Sequence, residues 1–460
     1  MRDVDFLFVY EVRNREMDAV CLVGAYLEEK GYRVGYINTW DSLYHFQRRY
    51  DASVVILSAC YDDKTYRYFT GHARSFEKAV NLQWEQVLMN GVTRENAKTD
   101  WDFSGEMPAE TRHICWGENN RQYLMRRYGF PENNLRVCGY LPLDFYRPEF
   151  RNATMKREAL FTKHGLDPAK RTVLFISSFA DLGKPATEQA ALADDVLDEA
   201  ENIRLQNTSQ RIILDWFRRL AAEEKDLRIV YRPHPAEADN AALRQCEKEI
   251  SNFHVIGEES IRNWIMNCDI LCNWKSTSMI ETFAAGKKTL ILHPTEIPFA
   301  LNMPFFREGH YRAVHTYEEL LAGIQEEDAE YPMEKEQLLQ FYSITDEPAY
   351  RRVGDELIRT LEDSGYHSRD LNRKHSDLYV LAGVAKNRVI AGVSGGLYRT
   401  LNRFPRRGGS RSPLSRLRAR CEHYDYYVRK ARQNRMPKEE WRARVDLFRE
   451  MIRKDMAKDI

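Results

Sequence analysis

The sequence lacks any run of eighteen apolar residues, so no segment reads as a membrane-spanning helix. It lacks net charge, with 69 Lys+Arg against 69 Asp+Glu. That balance excludes a globally basic nucleic-acid coat and a globally acidic tail protein. Its eight cysteines are scattered, and Cys268 and Cys272 form the only close pair. With no paired CxxC and no His cluster they do not compose a zinc site, and a reduced cytosol is the simple reading. No GxGxxG opens the first strand–helix unit and no GxxxxGK[ST] occurs, which disfavours dinucleotide and P-loop sites. No GxSxG elbow is present. The opening MRDVDFLFVYEVRNRE is charged at Arg2, Asp3 and Asp5 and has no small-residue cleavage site, so it reads as a first strand and not as a signal peptide.

What is present suffices for folding. The chain has 460 residues, 43% hydrophobic and 12% aromatic, which suits two or three domains with real cores. The zero net charge hides an asymmetry. Residues 371–460 carry 23 Lys/Arg and 9 Asp/Glu, a balance of +14, so the remaining 370 residues carry −14. The composition changes near Gly365. Beyond it lie an amphipathic stretch with Leu378, Tyr379, Val380, Val384, Val389, Ile390 and Leu397, the basic turn-rich PRRGGSRSPLSRLRAR, and a charged helical pattern from about Glu422 to Lys458.

Before that boundary, strand and helix patterns alternate. Strands are expected at 5–12, 32–39, 53–60, 113–117 and 134–140, with helices over 14–30 and 75–90. The pattern restarts with strands at 172–179, 227–235 (running into a loop), 252–257, 269–274 and 288–294, and helices over 187–206 and 209–225. Such alternation implies parallel sheets covered on both faces, hence an α/β chain of two doubly wound, Rossmann-like domains. The expected boundaries are 1–150, 151–345, returning helices at 346–365, and a basic, largely helical extension at 366–460. Ligands of such sheets sit outside the carboxyl ends of the strands, so the strand ends carry the candidates.

Arg232-Pro233-His234-Pro235 follows the strand LRIV, and its two prolines stiffen the loop. Arg232 offers a planar fork to phosphate and His234 a donor; the alternative is a surface turn. Lys275-Ser276-Thr277-Ser278 follows DILCNW and leads into the apolar helix MIETFAAG, placing three hydroxyls at a helix start that attracts anions. Ser278-x-x-Glu281 also matches a capping box, so those two residues could simply cap the helix; Glu281 could instead accept from ribose hydroxyls. The loop His293–Pro298 is a weaker third candidate, equally readable as a connector. Asp62-Asp63 could hold a metal but suits an ordinary turn.

These motifs resemble those of the GT-B glycosyltransferases of bacterial surface-carbohydrate biosynthesis. The nearest groups are capsule biosynthesis proteins, bacterial sialyl- and Kdo-transferases, and CDP-glycerol glycerophosphotransferases. The shared features are Arg232-Pro233-His234-Pro235, Ser276-Thr277-Ser278 with Glu281, and Ala285-Gly286-Lys287, where such proteins often have Pro in place of Lys287. Glu11 to Glu16 is similar to the Glu-x-(Lys/Arg)-x-Arg-Glu opening of the surface-carbohydrate proteins. The likeness spans roughly residues 5–345; the basic tail has no counterpart, and the acidic base motif of the sialyltransferases is absent. The resemblance implies two domains facing a cleft, no cofactor and no metal, and a CMP-, CDP- or UDP-linked sugar as donor substrate. Arg232, His234, Lys275, Ser276, Thr277, Ser278 and Glu281 would then bind the donor.

Transfer needs a general base, for which Glu11, Glu16 and Glu85 are candidates, and cations where leaving-group charge grows, where His234 would also act. Arg13 and Arg15 could bind an acidic acceptor or only pair with Glu11 and Glu16. The acceptor would be a cell-surface glycan or a lipid-linked one. The tail would lie on an anionic membrane surface, giving a cytoplasmic protein peripheral to the inner face of the membrane; a partner-binding helical domain and a disordered basic tail are the alternatives. No nucleic acid is expected, and the oligomeric state stays open. The rival functions are a CDP-polyol phosphotransferase of cell-envelope polymer synthesis, a non-catalytic scaffold, and a sugar-nucleotide 2-epimerase.

Overall fold

The structure is a computed structural model. It describes residues 3–40, 50–84, 86, 103–180, 182, 197–234, 237, 241–298, 301–303, 306, 310–327, 330–372, 381–386, 388–389, 393, 397, 400, 417, 421, 428 and 431–456. The chain divides into two compact units. The first comprises residues 1–86, 100–141 and 343–460; the second comprises 87–99 and 142–342. The helices used below are α1 (Arg13–Glu29), α2 (Leu197–Glu223), α3 (Ile261–Asn267), α4 (Met279–Ala284), α5 (Ala349–Glu362) and α6 (Lys438–Met456).

The first unit is built on the strands β1 (Val4–Tyr10), β2 (Val34–Asn38), β3 (Ala52–Leu57), β4 (Lys78–Asn81), β5 (Arg112–Cys115) and β6 (Leu135–Val137). They form one parallel sheet in the order β2-β1-β3-β4-β5-β6. β1 and β3 are apolar through most of their length because both faces are covered. Val9, Val55, Leu57, Tyr66 and Phe69 are among the buried side chains of its core.

One element departs from the expected pattern. Residues 78–81 are a strand, not part of a helix over 75–90. Lys78 at the start of this strand is buried. Its Nζ donates to the carbonyls of Thr360 (2.9 Å), Leu361 (2.7 Å) and Asp363 (2.7 Å). A cation there satisfies the open carbonyls at the end of α5, so tertiary context overrides the local pattern. Asp62 and Asp63 are likewise occupied: Asp62 accepts from Thr65 N (2.6 Å) as a helix cap, and Asp63 accepts from Glu106 N (3.0 Å) and Met107 N (2.9 Å).

Two later segments pack onto α1. From α5, Tyr350 sets its ring edge-on to Tyr26 with centroids 5.5 Å apart. Gly354 lies under the same Tyr26 ring, where a Cβ would meet Cδ1 at 2.4 Å. From α6, Val445, Phe448, Met451 and Ile452 are buried. Around them, Arg442 bonds Glu28, Arg449 and Arg453 bond Glu29, and Arg444 bonds Asp18. The end of the basic extension is therefore part of the first unit.

The second unit carries β7 (Arg171–Ile176), β8 (Leu227–Arg232), β9 (Phe253–Val255), β10 (Ile270–Asn273), β11 (Thr289–Leu292) and β12 (Ala313–Val314). The parallel order is β12-β11-β10-β7-β8-β9. Counted within the unit this is 3-2-1-4-5-6 read from β9, the order of sheets that bind nucleotides where the strand sequence reverses. That point lies between β7 and β10. The strand expected over 172–179 stops at Ile176, and the helical pattern around 209–225 is the end of the single long helix α2. Phe175, Phe217, Tyr231, Cys272 and Trp274 are part of the core. All eight cysteines are buried and free. Among the described residues no helix is long and apolar enough to cross a membrane.

Candidate functional site

In the second unit the register aligns Ile176 with Arg232 on one side and with Asn273 on the other. The loops after β7, β8 and β10 thus leave one sheet edge side by side. At the usual strand spacing the β8 and β10 ends are about 10 Å apart, with β7 between them. The sequence motifs 232–235 and 275–278 accordingly share an edge.

The loop after β7 joins them. Phe179 packs on Trp274 with ring centroids 4.8 Å apart, and Lys275 N donates to Ser178 Oγ (3.4 Å). On the other side Ser177 Oγ donates to Glu237 Oε2 (2.5 Å). Glu237 also accepts from Gln210 Nε2 (2.8 Å), Tyr231 Oη (2.9 Å) and the backbone N–H of His234 (3.1 Å). The backbone N–H of Glu237 returns a bond to the His234 carbonyl (2.8 Å). This carboxylate closes the His234 turn and ties it to β7; burial pushes its pKa up.

Arg232 and Lys275 hold the site's walls. Arg232 Nη1 donates to Glu258 O (2.6 Å) and Nη2 to Glu259 O (2.6 Å), clamping the turn where Glu259 adopts φ 65°. Burial lowers the guanidinium pKa to about 10. Lys275 Nζ donates to Asn202 Oδ1 (3.1 Å) on α2 and to Leu301 O, and lies 5.0 Å from the Trp274 ring centroid. Both side chains meet protein oxygens, so each positions a loop.

The hydroxyl cluster remains at the β10 end. Ser276 Oγ and Ser278 Oγ are 2.8 Å apart, and Ser278 N donates to Ser276 Oγ (3.2 Å). Thr277 is exposed, Ser276 half-buried and Ser278 buried. The capping-box alternative is not formed: Ser278 has φ −63° and ψ −8°, and its side chain accepts no amide. Glu281 instead accepts from Tyr146 Oη (3.0 Å). Burial raises its pKa to about 7, against the pull of Tyr146, Arg262 and Arg232. His293 is a connector: it is buried, bonded at Nε2 to Trp274 O (3.0 Å), and pushed down to about 4 by burial.

In the first unit the strand order reverses between β1 and β3, and Glu16 sits there. It is fully buried and accepts from Ser58 Oγ (2.6 Å) on the β3 side, from Glu11 N (2.8 Å) and Val12 N (3.2 Å) on the β1 side, and from Arg15 (2.7 Å). Glu16 therefore organises the loop. Arg15 pairs with it, whereas Arg13 reaches the tail, where its N–H donates to Asn434 Oδ1 (2.8 Å) and its guanidinium bonds Glu440. Glu11 stands half-buried at the end of β1, its carbonyl accepting from Asn38 Nδ2 (3.3 Å). Glu85 lies outside the described residues.

Sequence reasoning missed Ser177, Ser178, Glu237 and Tyr146. Two serines at the end of TVLFISSF were a signal for the first pair; nothing local marked Glu237 or Tyr146. Among the described residues no group of three or more His, Cys, Asp or Glu could hold a metal ion.

No family model matches the chain, and no curated protein matches it. Solved structures are similar to it. MnaA of S. aureus, in a co-structure with UDP, is 13% identical with a TM-score of 0.46 over 78% of this chain and 97% of that one. The wall teichoic acid polymerase TagF is 10% identical with a TM-score of 0.46, covering 78% and 90%. The UDP-GlcNAc 2-epimerase of Neisseria meningitidis bound to UDP-GlcNAc is 11% identical with a TM-score of 0.44, covering 77% and 100%. Likenesses of this size do not fix what this chain binds.

Proposed function

We propose that the second unit binds the phosphate of a nucleotide-linked sugar, and that the chain is a glycosyltransferase. It would move a sugar from a CMP-, CDP- or UDP-linked donor to a cell-surface glycan or lipid-linked acceptor, working at the membrane face. One observation carries the reading. At the β7/β10 reversal, where such sheets take nucleotides, the chain gathers Ser178, Ser276, Thr277 and Ser278, with His234 on the neighbouring β8 loop, its backbone held by Glu237.

In this reading Ser276, Thr277 and His234 donate to phosphate oxygens. Arg232, Lys275 and Glu237 fix the loops that carry them, and Glu281 accepts from the ribose. Glu11 is the general base of the first unit. The acceptor oxygen bonds to the anomeric carbon and its proton passes to the base. The carbon–oxygen bond to the donor phosphate breaks, with the electron pair leaving on phosphate, where the donors stabilise it.

Calorimetry with CMP, CDP and UDP tests this. The wild type binds at least one of them, and Ser276→Ala/Thr277→Ala weakens that binding about tenfold or more while leaving the melting temperature unchanged. Wild-type affinity in the double variant refutes the site. Product analysis with CDP-glycerol against CMP-sugars then separates sugar transfer from polyol-phosphate transfer.

A further inference from the structure

The basic extension is not uniform. Residues 371–420 hold 12 Lys/Arg and 1 Asp/Glu, a balance of +11, whereas 421–460 hold 11 and 8, a balance of +3. The structure treats the two parts differently. The second part is occupied: α6 buries its apolar face on α1, and Arg442, Arg444, Arg449 and Arg453 each meet an acidic side chain there. The entrance to the first part is tied as well, since Asn372 Nδ2 donates to Arg67 O (2.9 Å) and Thr70 Oγ1 (3.2 Å). The stretch between is therefore pinned to the first unit at both ends.

Several described residues of that stretch show aliphatic side chains to solvent. Leu381 is 47% exposed, Val389 66%, Val393 64%, Leu397 37% and Leu417 43%; Leu447 on α6, at 40%, is comparable. Val389, Val393 and Leu397 each have helical backbone, and in the sequence they recur every four residues. Lys386 and Arg388 stand among them, and the same fifty residues contain one acidic side chain. Cations with exposed aliphatic side chains at helical spacing fit an interface that is both anionic and apolar.

We infer that Leu381, Lys386, Arg388, Val389, Val393 and Leu397 belong to a membrane-contacting surface, with Val389, Val393 and Leu397 entering the headgroup region of an anionic bilayer and the two cations meeting lipid phosphates. α6 serves as the clasp that holds this surface to the first unit. The inference deepens the membrane placement proposed above and rests on it, but not on the nucleotide chemistry. A nucleic acid fits less well, because a phosphate backbone rewards the cations and leaves three aliphatic side chains without a role.

The test is co-sedimentation of the full-length protein with vesicles of phosphatidylcholine alone, or mixed with phosphatidylglycerol, at low and high salt. Binding is expected only to the mixed vesicles and falls with salt. Val389→Ser/Val393→Ser/Leu397→Ser, which leaves charge unchanged, lowers the partition about tenfold or more. Lys386→Ala/Arg388→Ala lowers it about 25-fold, near fivefold for each cation. Absence of binding to the mixed vesicles, or a triple variant that binds like the wild type, overturns the inference. So does a ribo-oligonucleotide that binds the wild type and the triple variant equally while lipid does not. Nucleotide calorimetry on the same triple variant keeps the two readings apart, since donor binding is expected to be unaltered.

Discussion

Replacing Glu281 by Gln makes the clearest demand on the candidate site. The carboxyl's pKa stands at about 7 in the folded protein against an ordinary 4.5, because burial outweighs the favourable Tyr146 bond and the nearby arginines. The folded-state value is raised, so between pH 4.5 and 7 the folded chain keeps a proton that the unfolded chain has lost. Stability from this group is therefore fully present below pH 4.5, is lost as pH rises toward 7, and is constant above. At 1.36 kcal/mol per unit, the loss is about 3 kcal/mol. Glutamine preserves the acceptor for Tyr146 Oη and cannot ionise. Urea unfolding of both proteins at about pH 5 and about pH 7.5 gives the comparison, in which other titrating groups such as Glu237 cancel. The wild type is expected to lose about 2 kcal/mol more than Glu281→Gln across that interval, the rest of the loss falling below pH 5. Equal pH slopes in the two proteins would show that the carboxyl is solvated and that the enclosed arrangement around it is wrong.

Glu16→Ala is expected to destabilise the first unit by about 2 kcal/mol or more, since the Glu11 and Val12 amides lose their acceptor and the Ser58 hydroxyl keeps only the Val9 carbonyl; thermal unfolding reads this, and a change within experimental error would remove its role as organiser. Glu237→Ala should weaken nucleotide binding while Glu237→Gln, which keeps one acceptor oxygen, restores part of it; calorimetry that finds both variants alike denies that the carboxylate positions the His234 turn. Phe448→Ala is expected to cost about 3–5 kcal/mol locally and to speed hydrogen exchange throughout 438–456, whereas Arg453→Ala, at the exposed rim, leaves exchange unchanged. The reverse ranking would mean that charge, not the apolar seam, fastens α6.

The two sheets were readable because a strand buried on both faces is apolar throughout, and DFLFVY, SVVIL, TVLFI and DILC are such runs. KAVN was misread because its lysine is buried by partners nearly 300 positions away, which no local pattern records. At the candidate site, the residue types at strand ends pointed to one edge of the second sheet, and the structure places both loops on that edge. Their individual duties were not legible: Arg232 and Lys275 look like phosphate ligands in a string of letters, and only coordinates reveal the carbonyls they already hold. Glu237 was invisible for the opposite reason, because a glutamate in a loop is ordinarily solvated, and its burial depends on Gln210 and Tyr231 arriving from other elements.

The enclosure of every thiol has a practical outcome. All eight cysteines are buried, and burial holds those of Cys21, Cys60, Cys115, Cys138, Cys246, Cys268 and Cys272 in the protonated, unreactive form. The native chain is thus a quiet background for maleimide chemistry. A single cysteine introduced at an exposed position such as 393 would take a fluorophore alone, without first stripping the chain of its own sulfur.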